Sequence, residues 1–176
     1  MPPMAAQLDP PLGPGDHVTG PGAAPLELLM YGDFQCPYCT AAQGSIRRVR
    51  DRLGAELRFA FRHFPIEELH PDARRAAEAA EAAAAQGAFW EMHDALYASR
   101  GRLAEDEIVA TAAALGLDAD RLRAELRDGT HAARIEQDRE SGVRSGVTGT
   151  PGFFANGRLV EGAFDAGSLI EAITSS

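Results

Sequence analysis

The stretch GDFQCPYCTA, residues 32–41, holds both cysteines of this 176-residue chain, Cys36 and Cys39. A structural disulfide stabilises a protein mainly by closing a long loop in the unfolded chain, and two cysteines three positions apart close almost none. A zinc or iron–sulfur site needs about four ligands, and the chain has no second C-x-x-C and only five scattered histidines. The spacing therefore favours a redox-active cysteine pair, and we expect no metal and no bound cofactor.

The residues around the cysteines predict a strand followed by a helix. LELLMYGDF is a short apolar run that reaches Gly32, which is typical of a buried strand. Apolar residues then recur at helical spacing from Pro37 to Leu53. ELRFAFRHF, residues 56–64, alternates between apolar and polar residues as a second strand does. Strand, helix and strand in this order predict a βαβ unit.

Cys36 lies where the first strand has ended and the helix has not begun. Pro37 suits the first helical position, because its missing N–H would be unsatisfied there. Cys36 is therefore predicted near the N-cap, where free N–H groups and the helix dipole stabilise an anion. We expect the pKa of Cys36 to lie below the usual value of about 8.5. Cys39 lies deeper in the helix, so Cys36 is predicted to attack and Cys39 to resolve the mixed disulfide.

The rest of the chain predicts a block of helices and then a return to strands. Helical patterns cover residues 73–87, 89–97, 104–115, 118–128 and 131–145. Asn156-Gly157 stands between two apolar stretches and predicts a two-residue hairpin. A short amphipathic helix follows at 165–173. Residues 1–24, rich in Pro and Gly, are predicted to be a flexible arm.

Composition excludes several classes of partner. A net charge of −9 argues against nucleic acid and anionic membrane surfaces. No apolar run approaches the roughly 20 residues of a membrane span, so we expect no membrane insertion. The N-terminus has no basic start and no continuous apolar stretch, so we expect a cytoplasmic protein. No exposed apolar helix suggests an obligate dimer, and we expect a monomer.

Five segments of the sequence resemble the DsbA-like family of thioredoxin-fold thiol–disulfide oxidoreductases. They are CPYC (36–39), FRHFP (61–65), HPDARRAAEAAEAA (70–83), QGAFWEMHDALY (86–97) and GVTGTPGFFANGR (146–158). The likeness runs from about residue 16 to residue 173 in the same order. It is greatest to the bacterial branch that also occurs as a domain fused to sodium/proton antiporters.

The resemblance implies an α/β fold, a thioredoxin core (β-α-β … β-β-α) with an inserted helical domain. The core would cover residues 25–64 and 147–176, and the inserted domain residues 65–146. The substrates would be cysteine-containing proteins, and a further, unidentified redox partner would be needed.

The resemblance also assigns roles to six residues. Cys36 would be the nucleophile and Cys39 the resolving thiol; Pro37 and Tyr38 would tune the pair; Thr150 and Pro151 would form a cis-proline loop that pairs with an extended substrate segment. The local sequence alone favours a trans Pro151, because only about 5–6% of X-Pro bonds are cis. The cis form is expected only because of the combination with Cys36.

Two positions depart from the family pattern. Met30 stands six residues before Cys36, where such proteins often carry a buried acid that helps to move the proton of the resolving thiol. Asp33 is a candidate to replace that acid, although an exposed turn residue is the simpler expectation. Gly152 follows Pro151, where the family often has a larger residue, and is expected to loosen the edge that binds substrate.

Three histidines and two alternative functions were also considered from the sequence pattern. His63, His70 and His93 are each predicted to be structural rather than catalytic. A glutathione-dependent, glutaredoxin-like reductase shares the C-P-Y-C motif but lacks the long segment between Cys39 and Thr150. A redox-sensing regulatory or binding module is the alternative from a different class.

Overall fold

The computed structural model describes residues 6–175, which form a mixed α/β fold with one central sheet. The strands are β1 (His17–Thr19), β2 (Leu26–Gly32), β3 (Leu57–His63), β4 (Gly152–Ala155) and β5 (Arg158–Leu159). The helices are α1 (Pro37–Leu53), α2 (Ala73–Ala84), α3 (Phe89–Ala98), α4 (Glu105–Ala114), α5 (Ala119–Asp128), α6 (Ala132–Arg144) and α7 (Ala166–Thr174). The predicted fold class is confirmed.

The chain divides into two compact units. The first contains the residues up to Gly32, Ala41–Arg62 and the residues from Glu140 onward, and the second contains Asp33–Thr40 and His63–Arg139. The second unit thus covers most of the predicted insertion. It also includes the cysteine segment, which the prediction had assigned to the core.

The first unit is built on the sheet, with strand order β1-β3-β2-β4-β5. β1 runs antiparallel to β3, and β2 runs antiparallel to β4 with Tyr31 opposite Gly152. Helix α7 packs against β2 and β4, and buries Leu169 and Ile173 completely. Because β2 and β4 are the central and adjoining strands, their side chains are the core of this unit.

The predicted hairpin is present between β4 and β5. Asn156 and Gly157 have φ values of 48° and 82°, the left-handed region that a two-residue turn of this type requires. The Asn156 side chain also accepts a hydrogen bond from the N–H of Glu27 (2.9 Å) and donates one to the carbonyl of Ile173 (2.7 Å). The turn is therefore held by its conformation and by contacts to a strand and a helix.

The prediction of a flexible arm over residues 1–24 is wrong for residues 6–24; residues 1–5 lie outside the described residues. Residues 17–19 form strand β1, and Leu8 is buried. The carboxylate of Asp16 accepts hydrogen bonds of 2.8 and 2.9 Å from Arg62. A segment rich in Pro and Gly is thus ordered by pairing with a buried arginine far along the chain.

Arg62 itself is an unexpected feature of β3, because it is a buried charge in a strand that is buried on both faces. A third hydrogen bond joins it to the hydroxyl of Tyr31 (2.9 Å). Burial by itself lowers the pKa of Arg62, but the hydrogen bonds that Arg62 donates to Asp16 and Tyr31 outweigh burial and raise it. Arg62 therefore stays charged and ties the N-terminal segment to the sheet.

The second unit is organised around α2, which packs against α3, α4 and α5. Seven of its eight alanines are buried, and small side chains allow helices to approach closely. Buried among them, Glu81 pairs with Nε2 of His63 at 2.8 Å. The backbone N–H of His63 donates to Asp138 (3.0 Å), so this hydrogen bond joins the two ends of the segment His63–Arg139.

Candidate active site

Cys36 occupies the N-cap of α1. The helix begins at Pro37, and the carbonyl of Cys36 accepts the first helical hydrogen bond, from the N–H of Thr40 (3.1 Å). This confirms the predicted placement of the first cysteine at the junction of strand and helix. A thiolate at this position is close to the unpaired N–H groups of the first helical turn.

The two cysteines point inward, while the residues between them face solvent. No disulfide joins them, and Cys36 is 3% exposed whereas Cys39 is fully buried. Tyr38, in contrast, is 74% exposed, and Pro37 is also exposed. The residue predicted to attack is therefore the slightly more accessible of the two.

Asp33 anchors the turn that leads into Cys36. Its Oδ1 accepts hydrogen bonds from the N–H groups of Gln35 (2.8 Å) and Cys36 (3.1 Å). Its Oδ2 accepts from the N–H of Ile66 (2.9 Å) and from Nδ1 of His70 (2.8 Å). The expectation that Asp33 is an exposed turn residue is wrong, since only 1% of it is exposed. The loop from Ile66 to His70 provides two of its donors, and the sequence gives no sign of that approach.

Gln35 forms a second link between this turn and the segment after β3. Its Oε1 accepts a hydrogen bond from the N–H of Asp72 (2.8 Å), and its Nε2 donates to the Asp72 carboxylate (3.4 Å). Arg75 completes the link by pairing with the same carboxylate at 2.8 Å. Together, Asp33 and Gln35 clamp the cysteine turn to the loop that precedes α2. Gln35 and Asp72 were not identified from the sequence.

Aromatic side chains of α3 line the buried side of the cysteine segment. The centre of the Phe34 ring lies 4.8 Å from the centre of the Tyr97 ring and 5.7 Å from that of the His93 ring. His93 is 2% exposed and packs among these rings, as its helical spacing predicted. His70 differs, because it is partly exposed and is bonded to Asp33.

Tyr97 is a site residue that the sequence revealed only as part of a helix core. Its pKa is raised well above the ordinary value. The first cause is burial, and the second is the negative charge that Cys39, Asp33 and Cys36 carry when they are ionised. Tyr97 therefore keeps its proton.

The remaining positions singled out from the sequence belong to the first unit. Met30 is fully buried in β2, opposite Phe153. Thr150 and Pro151 precede β4, and the peptide bond between them is cis. Gly152 is buried in β4, and a Cβ atom there would lie 3.2 and 3.3 Å from the methyl groups of Val147. Gly152 thus makes room for Val147, and the expectation that it loosens the edge that binds substrate stays a prediction.

A C-x-x-C pair at the N-terminus of the helix that follows a central strand defines the thioredoxin-fold class. The family described as DSBA-like thioredoxin domain matches residues 27–174, and the chain belongs to that family. Within residues 6–175 no helix combines the length and the apolarity needed to cross a bilayer.

The relatives in sequence are longer proteins, and this chain matches only a part of each. The chain is 45% identical over 161 residues to the Na(+)/H(+) antiporter NhaA 1 of Salinispora arenicola, covering 92% of this chain and 24% of that protein. It is 40% identical over 170 residues to the Na(+)/H(+) antiporter NhaA of Herminiimonas arsenicoxydans, covering 96% and 27%. The chain thus spans about a quarter of the length of these curated relatives, in agreement with the antiporter-fused branch it resembles.

Solved structures show the same fold. Oxidised BdbD from Bacillus subtilis superimposes with a TM-score of 0.87 at 20% identity, covering 98% of this chain and 96% of that one. A thioredoxin-like oxidoreductase from Silicibacter pomeroyi gives a TM-score of 0.82 at 28% identity, covering 93% and 92%. Because the identity to BdbD is only 20%, that similarity establishes the fold of this chain and not its activity.

Proposed function

We propose that the chain is a thiol–disulfide oxidoreductase that exchanges disulfides with cysteine-containing proteins. The observation that carries the proposal is the placement of Cys36 at the N-cap of α1, with the thiol of Cys39 one turn further. The helix N-terminus favours the thiolate of Cys36, and a neighbouring thiol is what a mixed disulfide needs to be resolved.

The reaction consists of two exchanges. In the oxidising direction, a substrate thiolate attacks the Cys36 sulfur; the Cys36–Cys39 bond breaks, and its electron pair goes to the Cys39 sulfur, which then takes up a proton. A second substrate thiolate attacks the substrate sulfur of the mixed disulfide and releases the Cys36 thiolate. The substrate dithiol is oxidised and the cysteine pair is reduced. The reducing direction is the same sequence reversed.

The substrate-binding residues are part of the proposal. The loop at Thr150 and Pro151 would pair through its backbone with an extended substrate segment, as the resemblance implies. Pro37 and Tyr38 would tune the cysteine pair, and the exposed ring of Tyr38 offers a contact to a protein substrate. We infer no metal or other cofactor in the exchange.

A second candidate is a redox-responsive regulatory domain. It is favoured by one observation: the relatives in which this domain makes up about a quarter of the chain are named antiporters. Such a domain would form and break the Cys36–Cys39 disulfide without turning over protein substrates. A glutaredoxin-like reductase is favoured less, because that class lacks an inserted segment such as the helices of the second unit.

Two standard assays, run side by side, separate these candidates. We expect the wild-type protein to accelerate either the reduction of insulin by dithiothreitol or the oxidation of reduced ribonuclease A by about tenfold or more. The control is the Cys36→Ser, Cys39→Ser double variant, which should match the uncatalysed rate. A wild-type protein that forms its disulfide but accelerates neither assay would contradict the oxidoreductase and favour the regulatory domain.

A further inference from the structure

His70 is linked to the backbone of Cys36 by the Asp33 carboxylate. Nδ1 of His70 lies 2.8 Å from Oδ2 of Asp33, and Oδ1 of the same carboxylate accepts a hydrogen bond from the N–H of Cys36 at 3.1 Å. The N–H groups of Gln35 and Ile66 are the other two donors. Both oxygens act as acceptors, which is the behaviour of an ionised carboxylate. A negative charge is therefore held beside the residue that is proposed to attack.

The two partners of this pair differ in their access to solvent. The Asp33 side chain is completely buried, whereas 16% of the His70 side chain is exposed. A buried charge is screened less than an exposed one, so the Asp33 carboxylate disfavours a second negative charge nearby. The imidazole can exchange a proton with solvent, and as an imidazolium it balances the carboxylate.

We propose that His70 is a positioning residue of the exchange, which acts through Asp33 and favours the Cys36 thiolate by balancing the carboxylate charge. The inference rests on the proposed function, in which Cys36 attacks as a thiolate. Without a positive charge at residue 70, Asp33 and Cys36 would carry two negative charges within one turn. The Cys36 thiol would then keep its proton up to a higher pH.

Other titratable groups around the cysteine turn are Cys39 in α1, Tyr97 and His93 in α3, His63 in β3, and Asp72 and Arg75 at the start of α2. Tyr97 is neutral because burial raises its pKa, and Asp72 is balanced by Arg75. The two histidines pair with carboxylates other than Asp33. The imidazole of His70 is thus the group that can bring a positive charge to Asp33.

The test follows the alkylation of Cys36 by iodoacetamide in a Cys39→Ser parent protein, from about pH 4 to about pH 9, so that the ionisation of a cysteine is spanned. His70→Asn keeps an N–H donor for the carboxylate and removes the charge. We expect the midpoint of its rate profile to rise by about one pH unit, the lower end of the effect of a nearby charge. At about pH 5.5 the rate should be about threefold lower, because the smaller thiolate fraction is partly offset by a more nucleophilic thiolate. His70→Lys, which restores a positive charge, should return the midpoint to within about 0.3 units of the parent.

His131→Asn is the matched control, since His131 also pairs with a carboxylate, that of Glu125, at 2.9 Å, and 18% of its side chain is exposed. It should leave the midpoint unchanged. Circular dichroism shows whether each variant is folded, and His70→Gln, tested in parallel, removes the same charge if the asparagine variant does not fold. Coincident profiles for the folded neutral variant and the parent would overturn the inference, as would a midpoint for His70→Lys as high as that for His70→Asn. The titration needs no protein substrate, so a failure of the proposed function would appear instead in the insulin and ribonuclease assays.

Discussion

Cys39→Ser is expected to accumulate as a mixed disulfide with substrate proteins, joined through Cys36. Without the resolving thiol, the bond between Cys36 and the substrate has no internal attacker and persists. Cys36→Ser is expected to lose exchange activity by at least about 10³-fold, because the attacking atom is gone. Mass spectrometry of adducts formed with a protein substrate, with and without dithiothreitol, measures the first effect, and the insulin or ribonuclease assay measures the second.

The two single variants test the assignment of roles as well as the activity. The Cys36→Ser, Cys39→Ser double variant is the control and should form no adduct that dithiothreitol releases. Adducts that form on Cys36→Ser but not on Cys39→Ser would reverse the roles of the two cysteines. The structure favours the present assignment, because Cys39 is fully buried and Cys36 is not.

Asp33→Ala is expected to lower the free energy of unfolding by about 3–5 kcal/mol, the range seen when one partner of a buried ion pair is removed. The change leaves the N–H groups of Gln35, Cys36 and Ile66 without their carboxylate acceptor. It also leaves Nδ1 of His70 without its partner. Urea denaturation of the fully reduced protein measures the loss, so that the disulfide does not contribute.

Asp106→Ala is the matched control, because Asp106 is an exposed carboxylate that pairs only at the surface with Arg123. Its removal should change the free energy of unfolding by no more than about 0.5 kcal/mol. The loss of unfolding free energy for Asp33→Asn should fall between those of the other two variants. The amide oxygen can still accept the hydrogen bonds from Gln35 and Cys36, but the amide NH₂ group would face the N–H of Ile66, where two donors cannot bond. A loss of less than about 1 kcal/mol for Asp33→Ala would show that the carboxylate does not hold the turn.

Local patterns in the sequence predicted the elements that local interactions determine. Pro37 gave the start of α1, and with it the N-cap position of Cys36, because a proline suits only the first turn. Asn156-Gly157 gave the hairpin, because few residue pairs adopt its two left-handed conformations. The helical pattern over 118–128 predicted α5, which begins after Asp118, whose side chain accepts a hydrogen bond from the N–H of Arg121 (3.0 Å).

The features that were missed depend on residues far apart in the sequence. The donors to Asp33 include Ile66 and His70, more than thirty positions away. Asp16 is ordered by Arg62, which is 46 positions away. Neither pairing leaves a pattern in the sequence, because a charged residue is predicted to be exposed unless its partner is known. Helical spacing likewise placed Tyr97 in a core without indicating that its ring packs against Phe34, next to the cysteine turn.

The most direct test of the account is the equilibrium of the cysteine pair with glutathione redox buffers, followed by acid quenching and mass spectrometry. We predict one two-electron transition between the dithiol and an intramolecular Cys36–Cys39 disulfide, with a midpoint between about −120 and −270 mV. A midpoint near the upper value would indicate an oxidant, and one near the lower value a reductant. Cysteines that form only separate glutathione adducts, and no bond to each other, would contradict the central claim.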